Sequence, residues 1–233
     1  MNFNSTIKAF KILLMYGKVF LFLFLALVFT HLSEAQEHYF SDDSKFSTNV
    51  SDLIVDDLLK VLPGDRVIGD KDAPITMIEY ASFSCYHCAL FHINILPIIE
   101  KEYIKTGKVL FIFRSFPLDY KSLKASMLGH CYNNTADYFA FNKAVFSLTD
   151  FWNNKSSSLT ALENIARVSN ISKEKFDQCI NDSHVLNIII NQTLLATEKL
   201  KITGTPVFFI NGKRHEGIHN LKYFTTLFDN MIK

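Results

Sequence analysis

The chain lacks the excess of one charge that marks partners such as nucleic acids or anionic surfaces. Lys and Arg number 24 against 23 Asp and Glu, a formal net charge of +1. Without a field of one sign, and without a basic stripe interleaved with aromatics, neither kind of partner is expected. Glycine is sparse, with 8 in 233 residues, and no Gly-rich phosphate loop occurs. No paired-carboxylate motif, His-x-x-x-His, internal repeat or long low-complexity segment appears. Cysteine is also scarce, with 4 residues, but two of them sit close together as Cys85 and Cys88. What is present is 48% hydrophobic and 14% aromatic, a composition for a packed core. The length suits one domain with an insertion, or two small ones.

The long apolar run is at the N-terminus. Lys8, Lys11 and Lys18 precede the uncharged stretch Val19–Phe29, and Ser33-Glu34-Ala35 then offers small residues at the positions of a cleavage site. This pattern predicts a secretory signal peptide over residues 1–35, with an uncleaved anchor as the alternative. No cysteine directly follows the run, so a lipid anchor is not expected there. Either reading places the domain outside the cytosol, where disulfides form and persist.

Residues 36–62 read as an N-terminal segment, polar at first. Val50, Leu53, Ile54, Leu58 and Val61 then recur at helical spacing, a short amphipathic helix ended by Pro63-Gly64. Arg66–Gly69 could form a short strand. Ile75–Ala81 reads as a buried strand, Tyr86 to about Lys105 as a helix apolar on nearly every side with a kink at Pro97, and Lys108–Arg114 as the next strand. That order implies a parallel crossover. From Asp119 to Lys201 only helical segments appear, with breaks at Asn133-Asn134, Asn153-Asn154 and Ser169-Asn170. Val207–Ile210 and Lys213–His215 flank Asn211-Gly212 as a hairpin with a type I′ turn, and Leu221–Ile232 closes as an amphipathic helix. The expected fold class is α/β: a sheet domain over residues 63–118 and 202–233, interrupted by a helical insert over 119–201.

Cys85-Tyr86-His87-Cys88 lies at the junction between a strand and a helix. There the first sulfur meets unpaired backbone N–H groups and the positive end of the helix dipole, which favour a thiolate. Two intervening residues let the second sulfur reach the first. A zinc site with His92 as third ligand is the competing reading, but Cys131 and Cys179 do not supply a second cluster by spacing. His92 itself reads as a helix-surface or boundary histidine. Glu79 occupies an otherwise apolar strand, where a carboxylate is costly unless partnered; a strand-edge acid facing water is the alternative.

Glu79, Cys85-Tyr86-His87-Cys88, a helical insert, and Thr203-Gly204-Thr205-Pro206 before a strand resemble, in that order, the DsbA family of thioredoxin-fold oxidoreductases. The four cysteines are similar to the alphaproteobacterial branch, which carries a second pair in its helical domain. Tyr86 departs from the usual proline between the cysteines, and Thr205 from the valine often found before the family's proline. The resemblance implies that Cys85 is the nucleophile and Cys88 the buried resolving thiol. It also implies that His87 supports the thiolate, and that Glu79, with a raised pKa, exchanges a proton with Cys88. Thr205-Pro206 would be a cis peptide whose backbone pairs with substrate, and Tyr86 would shape substrate contact. For Cys131 and Cys179, on different helices of the insert, a structural disulfide is expected ahead of two buried thiols or a second redox pair.

The expected function is a periplasmic oxidase that passes the Cys85–Cys88 disulfide to reduced, unfolded secreted proteins. Disulfide isomerase or reductase activity, or a non-catalytic holdase role, are the alternatives. No metal and no coenzyme is expected, since the cysteines carry the redox equivalents. The implied partners are those clients and a DsbB-like, quinone-linked membrane protein. The short N-terminal helix reads as packed on its own domain, which suggests a monomer.

Overall fold

The structure is a computed structural model, and it describes residues 53–153, 158–217 and 220–233. The readings made on residues 1–52, including the signal peptide and the polar N-terminal stretch, lie outside the described residues. Among the described residues no helix is long and apolar enough to cross a membrane.

Helix α1 spans residues 53–58. Five strands follow in the chain: β1 (Arg66–Ile68), β2 (Ile75–Ala81), β3 (Val109–Ser115), β4 (Val207–Ile210) and β5 (Lys213–Glu216). They form one mixed sheet in the order β1-β3-β2-β4-β5. β2 and β3 are parallel, with Glu79 opposite Phe113, and all other neighbours are antiparallel. Both sheet faces are covered, which is why the central strands read as near-continuous apolar runs. Alternation divides them: Met77, Ala81, Phe111 and Phe113 enter one core, while Ile78, Tyr80, Leu110 and Ile112 enter the other. Glu79, in step with Met77 and Ala81, therefore points into the first core.

α2 (Tyr86–Asn94) leaves the C-terminal end of β2. The single long helix expected from Tyr86 to Lys105 is instead three pieces: α2, α3 (Leu96–Ile99) and a π-helical turn at Glu100–Ile104. The break falls at Ile95, two residues before Pro97. Restarting the helix at Leu96 puts Pro97 in a first turn, where a missing N–H costs nothing. The chain then widens, with Lys105 N–H donating to Glu100 O at 2.8 Å.

Between β3 and β4 the described residues form six helices: α4 (Tyr120–Gly129), α5 (Thr135–Ser147), α6 (Thr149–Asn153), α7 (Ser158–Val168), α8 (Lys173–Ile180) and α9 (Ser183–Leu200). Asp119, Asn134, Ser172 and Asp182 cap four of them by accepting from first-turn N–H groups. α10 (Leu221–Met231) closes the chain, with Phe224 and Phe228 fully buried.

On the second sheet face, Arg114 gathers Asp65 (2.7 and 2.9 Å), the Tyr80 hydroxyl (2.9 Å) and the carbonyls of Leu58 and Lys60. This buried cation ties the end of α1 to the sheet. In the β4–β5 turn, Asn211 and Gly212 both have positive φ, 46° and 77°, as a type I′ turn requires. Asn211 also clips the turn to β2: its Oδ1 accepts from Thr76 N–H at 2.8 Å, and its own N–H donates to Thr76 O at 2.9 Å. Gly69 has a different reason to be glycine. A Cβ there would meet Val109 O at 2.5 Å, and its φ is +113°.

Candidate active site

The site is built where β2 ends. Ser82, Phe83 and Ser84 turn the chain from strand to helix, and two buried serines fix that turn. Ser122 Oγ on α4 accepts from Phe83 N–H at 3.0 Å and from the Ser82 hydroxyl at 2.7 Å. Cys85 N–H donates to Ser82 O at 3.0 Å. Ser122 lies about 40 positions away in the chain, and no local pattern marks it.

Cys85 is then the N-cap of α2, in extended backbone conformation, with Sγ accepting from Cys88 N–H at 3.4 Å. A sulfur thus stands where helices usually place the oxygen of Ser, Thr, Asp or Asn. The Cys85 thiol is drawn down to about 5. The largest cause is its hydrogen bond with the Cys88 thiol; Thr205 and the backbone N–H groups of Cys88 and His87 add to it, against an opposing push from burial. The sulfur remains half-buried, so a partner can reach it.

Cys88, one turn inward, is fully buried. Burial pushes its thiol well above the ordinary range, and its bond to Cys85 and the nearby charges of Glu79 and Cys85 push it further. Three positions apart in the chain, the two sulfurs have opposite chemistry: one is a thiolate at neutral pH and the other holds its proton.

Glu79 is fully buried on the face of β2 that meets α2. Burial raises its pKa, opposed by His92, and its Oε2 lies 2.8 Å from His92 Nε2. Its Oε1 has no hydrogen-bond partner among the described residues. His92 is therefore not the surface or boundary residue expected from sequence. It is buried at 5% exposure, stacked on Phe146 with ring centroids 4.1 Å apart. Nor does it stand with the cysteines as a ligand set; its ring nitrogen is turned to Glu79. The sequence did carry a signal for it, since a buried acid needs a polar partner and α2 is otherwise apolar on its inner faces.

The Thr205-Pro206 peptide is cis, and the Thr205 carbonyl lies 3.3 Å from Cys85 Sγ. The loop and the cysteines thus meet, although 120 positions separate them in the chain. Beside them an open cleft of about 380 Å³ is lined by His87, Leu90, Phe91, Pro206, Phe208 and Asn220. Tyr86 is 57% exposed at its edge, its ring against that of His87. His87 is also exposed, and its backbone N–H is one of the groups that draw the Cys85 thiol down.

Cys131 and Cys179 do not join this site. They are bonded to each other, with Cα atoms 5.9 Å apart, and link the end of α4 to α8 inside the helical insert.

Known proteins share this arrangement. The Thioredoxin family model matches residues 61–230. The crystal structure of Wolbachia pipientis alpha-DsbA1 is 51% identical, covers 75% of this chain and 94% of that one, and superimposes with a TM-score of 0.72. Bacillus subtilis BdbD, at 20% identity, 72% and 93% coverage and a TM-score of 0.64, shares the fold. A Rickettsia bellii protein whose name assigns it provisionally to the protein-disulfide oxidoreductases is 29% identical over 174 residues, which are 75% of this chain and 67% of that one. Two other Rickettsia relatives of that name are spanned over 58% of their length. The chain belongs to the thioredoxin family, among its DsbA-like thiol–disulfide oxidoreductases.

Proposed function

We propose that this protein oxidises dithiols of other proteins outside the cytosol, using the Cys85–Cys88 disulfide as its oxidant. One observation carries the reading: Cys85 caps α2 with a thiol held at about 5, half-exposed, beside the Thr205 carbonyl. A stabilised thiolate favours the reduced form, so the disulfide form gives up its bond readily to a partner. The apolar run before Ala35 supports export, to a compartment where such chemistry has clients.

The exchange needs no other carrier of electrons. A client thiolate attacks Cys85 Sγ, the Cys85–Cys88 bond breaks, and the departing Cys88 sulfur takes a proton. A second client thiolate then attacks the client sulfur of the mixed disulfide and releases Cys85 as thiolate. Two electrons pass from client to enzyme. Of the two client thiol protons, one ends on Cys88 and one in solvent. The Thr205-Pro206 loop would hold the client backbone in extended form beside the sulfurs, with Tyr86 at the rim. Reduced, unfolded secreted proteins are the clients this open cleft suits. A membrane quinone-linked protein of the DsbB type would restore the disulfide, as the resemblance implies, and the protein would work as a monomer. The bridge between Cys131 and Cys179 would be structural.

Equilibration of the Cys85/Cys88 pair with glutathione tests this reading. The scale runs from thioredoxin at about −270 mV to DsbA at about −120 mV. A value toward the DsbA end, with net oxidation of a reduced dithiol client, is the expected result. A value near thioredoxin's would make the protein a reductant and overturn the proposal.

A further inference from the structure

Glu79 can trade a proton with Cys88, but nothing yet connects Glu79 to water. Its side chain has no exposed surface. A carboxyl sealed this way can act in one turnover and then has to be reset through a neighbour. The neighbour hydrogen-bonded to it is His92, at 2.8 Å.

His92 has a second side. Its ring forms part of the wall of a separate cleft of about 430 Å³, with Leu96, Pro97, Glu100, Phe139 and Lys143. This cleft lies between the α3 and π-turn region and α5, and shares only the α2 helix with the cleft beside Pro206. The ring is held in orientation by Phe146 stacked on it and by Phe113 edge-on at 5.6 Å. It thus touches the buried acid and lines this cleft with 3% of its side chain exposed, and the two aromatic rings hold its orientation. The break at Ile95 and the restart at Leu96-Pro97 form the wall opposite α5.

We propose that His92 is the proton relay of this enzyme, a positioning residue that resets Glu79 from the Leu96–Lys143 cleft. This rests on the exchange chemistry proposed above. When the Cys85–Cys88 bond breaks, the Cys88 sulfur takes the proton of the Glu79 carboxyl. As Glu79 Oε2 takes the proton of His92 Nε2, the other ring nitrogen takes the proton that the client released to solvent, so the imidazole stays neutral. In the reverse direction, when Cys88 is oxidised, each proton moves the other way. No electron passes through His92, and one proton enters for each Cys88 sulfur released. The groups that bear on the relay are Glu79 from β2, Cys88 on its own helix, Tyr138 on α5, and Glu100 and Lys143 at the cleft rim. This cleft and the one beside Pro206 have no lining residue in common.

The test is the rate at which the oxidised full-length protein oxidises a reduced dithiol peptide, followed across pH, in the wild type and in variants. His92→Gln keeps a hydrogen-bonding side chain but cannot relay at neutral pH; the rate should fall by about a hundredfold, the low end for a positioned proton donor. The Cys85 thiolate titration should stay within the wild-type range, which a general loss of structure would not permit. Glu79→Gln should lose a similar factor, and the double variant should lose no more than either single one, as members of one path do. His92→Ala opens a ring-sized space onto the cleft, so added imidazole should restore rate in proportion to its concentration. A His92→Gln rate within twofold of wild type would overturn the relay. Additive losses in the double variant, or a folded His92→Ala protein indifferent to imidazole, would overturn it as well. A wild-type protein inert to the peptide would instead sink the exchange reading itself, and the relay with it.

Discussion

Two pairs of cysteines in one chain make opposite use of the same atoms. Cys85 and Cys88 are free thiols two residues apart in sequence, at the mouth of a helix, beside a loop from the far end of the chain. Cys131 and Cys179 are bonded across 48 positions, within an insert whose surroundings are apolar. The first sulfur of the active pair is stabilised as an anion by donors at an open helix end, while its partner is kept protonated by burial. The second pair is closed on itself as a disulfide, so neither of its sulfurs is a thiol. The lesson is that redox reactivity here comes from what the backbone presents to each sulfur, and cross-linking from what two helices bring together.

The sharpest way to break this comparison is to exchange a sulfur for oxygen in the active pair. Cys85→Ser should abolish client oxidation, since Cys88, the other free thiol described, is fully buried. Cys88→Ser, given a client that carries a disulfide, should attack it through Cys85, release one client thiol and stay as a mixed disulfide that no Cys88 resolves, seen as a shifted band on non-reducing gels. If Cys88→Ser turned over like the wild type, the division of roles between the two sulfurs would be wrong.

Removing the second pair should do the reverse. Cys131→Ala with Cys179→Ala should lower unfolding free energy by up to about 4 kcal/mol in the chain-entropy picture for a loop of this size, subject to strain. Client oxidation should persist below the new melting point. Loss of activity at a temperature where the variant remains folded would show that the insert's bridge tunes the site.

A pH comparison of the two redox forms separates the pairs again. The Cys85 thiol is depressed in the folded, reduced protein, so the stability it adds is complete above its unfolded value and lost as pH falls through about 5. The reduced form should therefore gain on the oxidised form as pH rises from about 5 toward 9, in paired denaturant titrations. A gap between the two forms that stays constant over that window would contradict the assigned thiolate.

The smallest effect compares caps. Ser172 caps α8, which carries Cys179, by accepting from Lys175 N–H at 3.2 Å; Cys85 caps α2 with sulfur. Ser172→Ala should cost about 1 kcal/mol and leave client oxidation unchanged.

Much of this was legible in the chain. The strands β2 and β3 announced themselves because burial on both faces leaves little room for polar residues. The helices of the insert were visible through their periodicity and their Asn and Ser breaks, and Asn211-Gly212 through the backbone angles its turn needs. Other features lie in contacts no local pattern records. The π-turn after Ile99 has no sequence mark of its own. Pro97 signalled a disruption, but the chain placed it two residues earlier, where proline costs least. His92 looked ordinary on a helix read alone; its meaning comes from Glu79, 13 positions back on a different element. Ser122 likewise gains its role only when α4 folds against the turn before Cys85.

The central claim is that Cys85 is an anion at neutral pH because of where α2 begins. Titrating the reduced protein while following thiolate absorbance in the far ultraviolet tests it directly, with Cys85→Ser as the blank. A single transition near pH 5 is expected, absent from that variant. A transition in the ordinary thiol range, about 8.5, would contradict it.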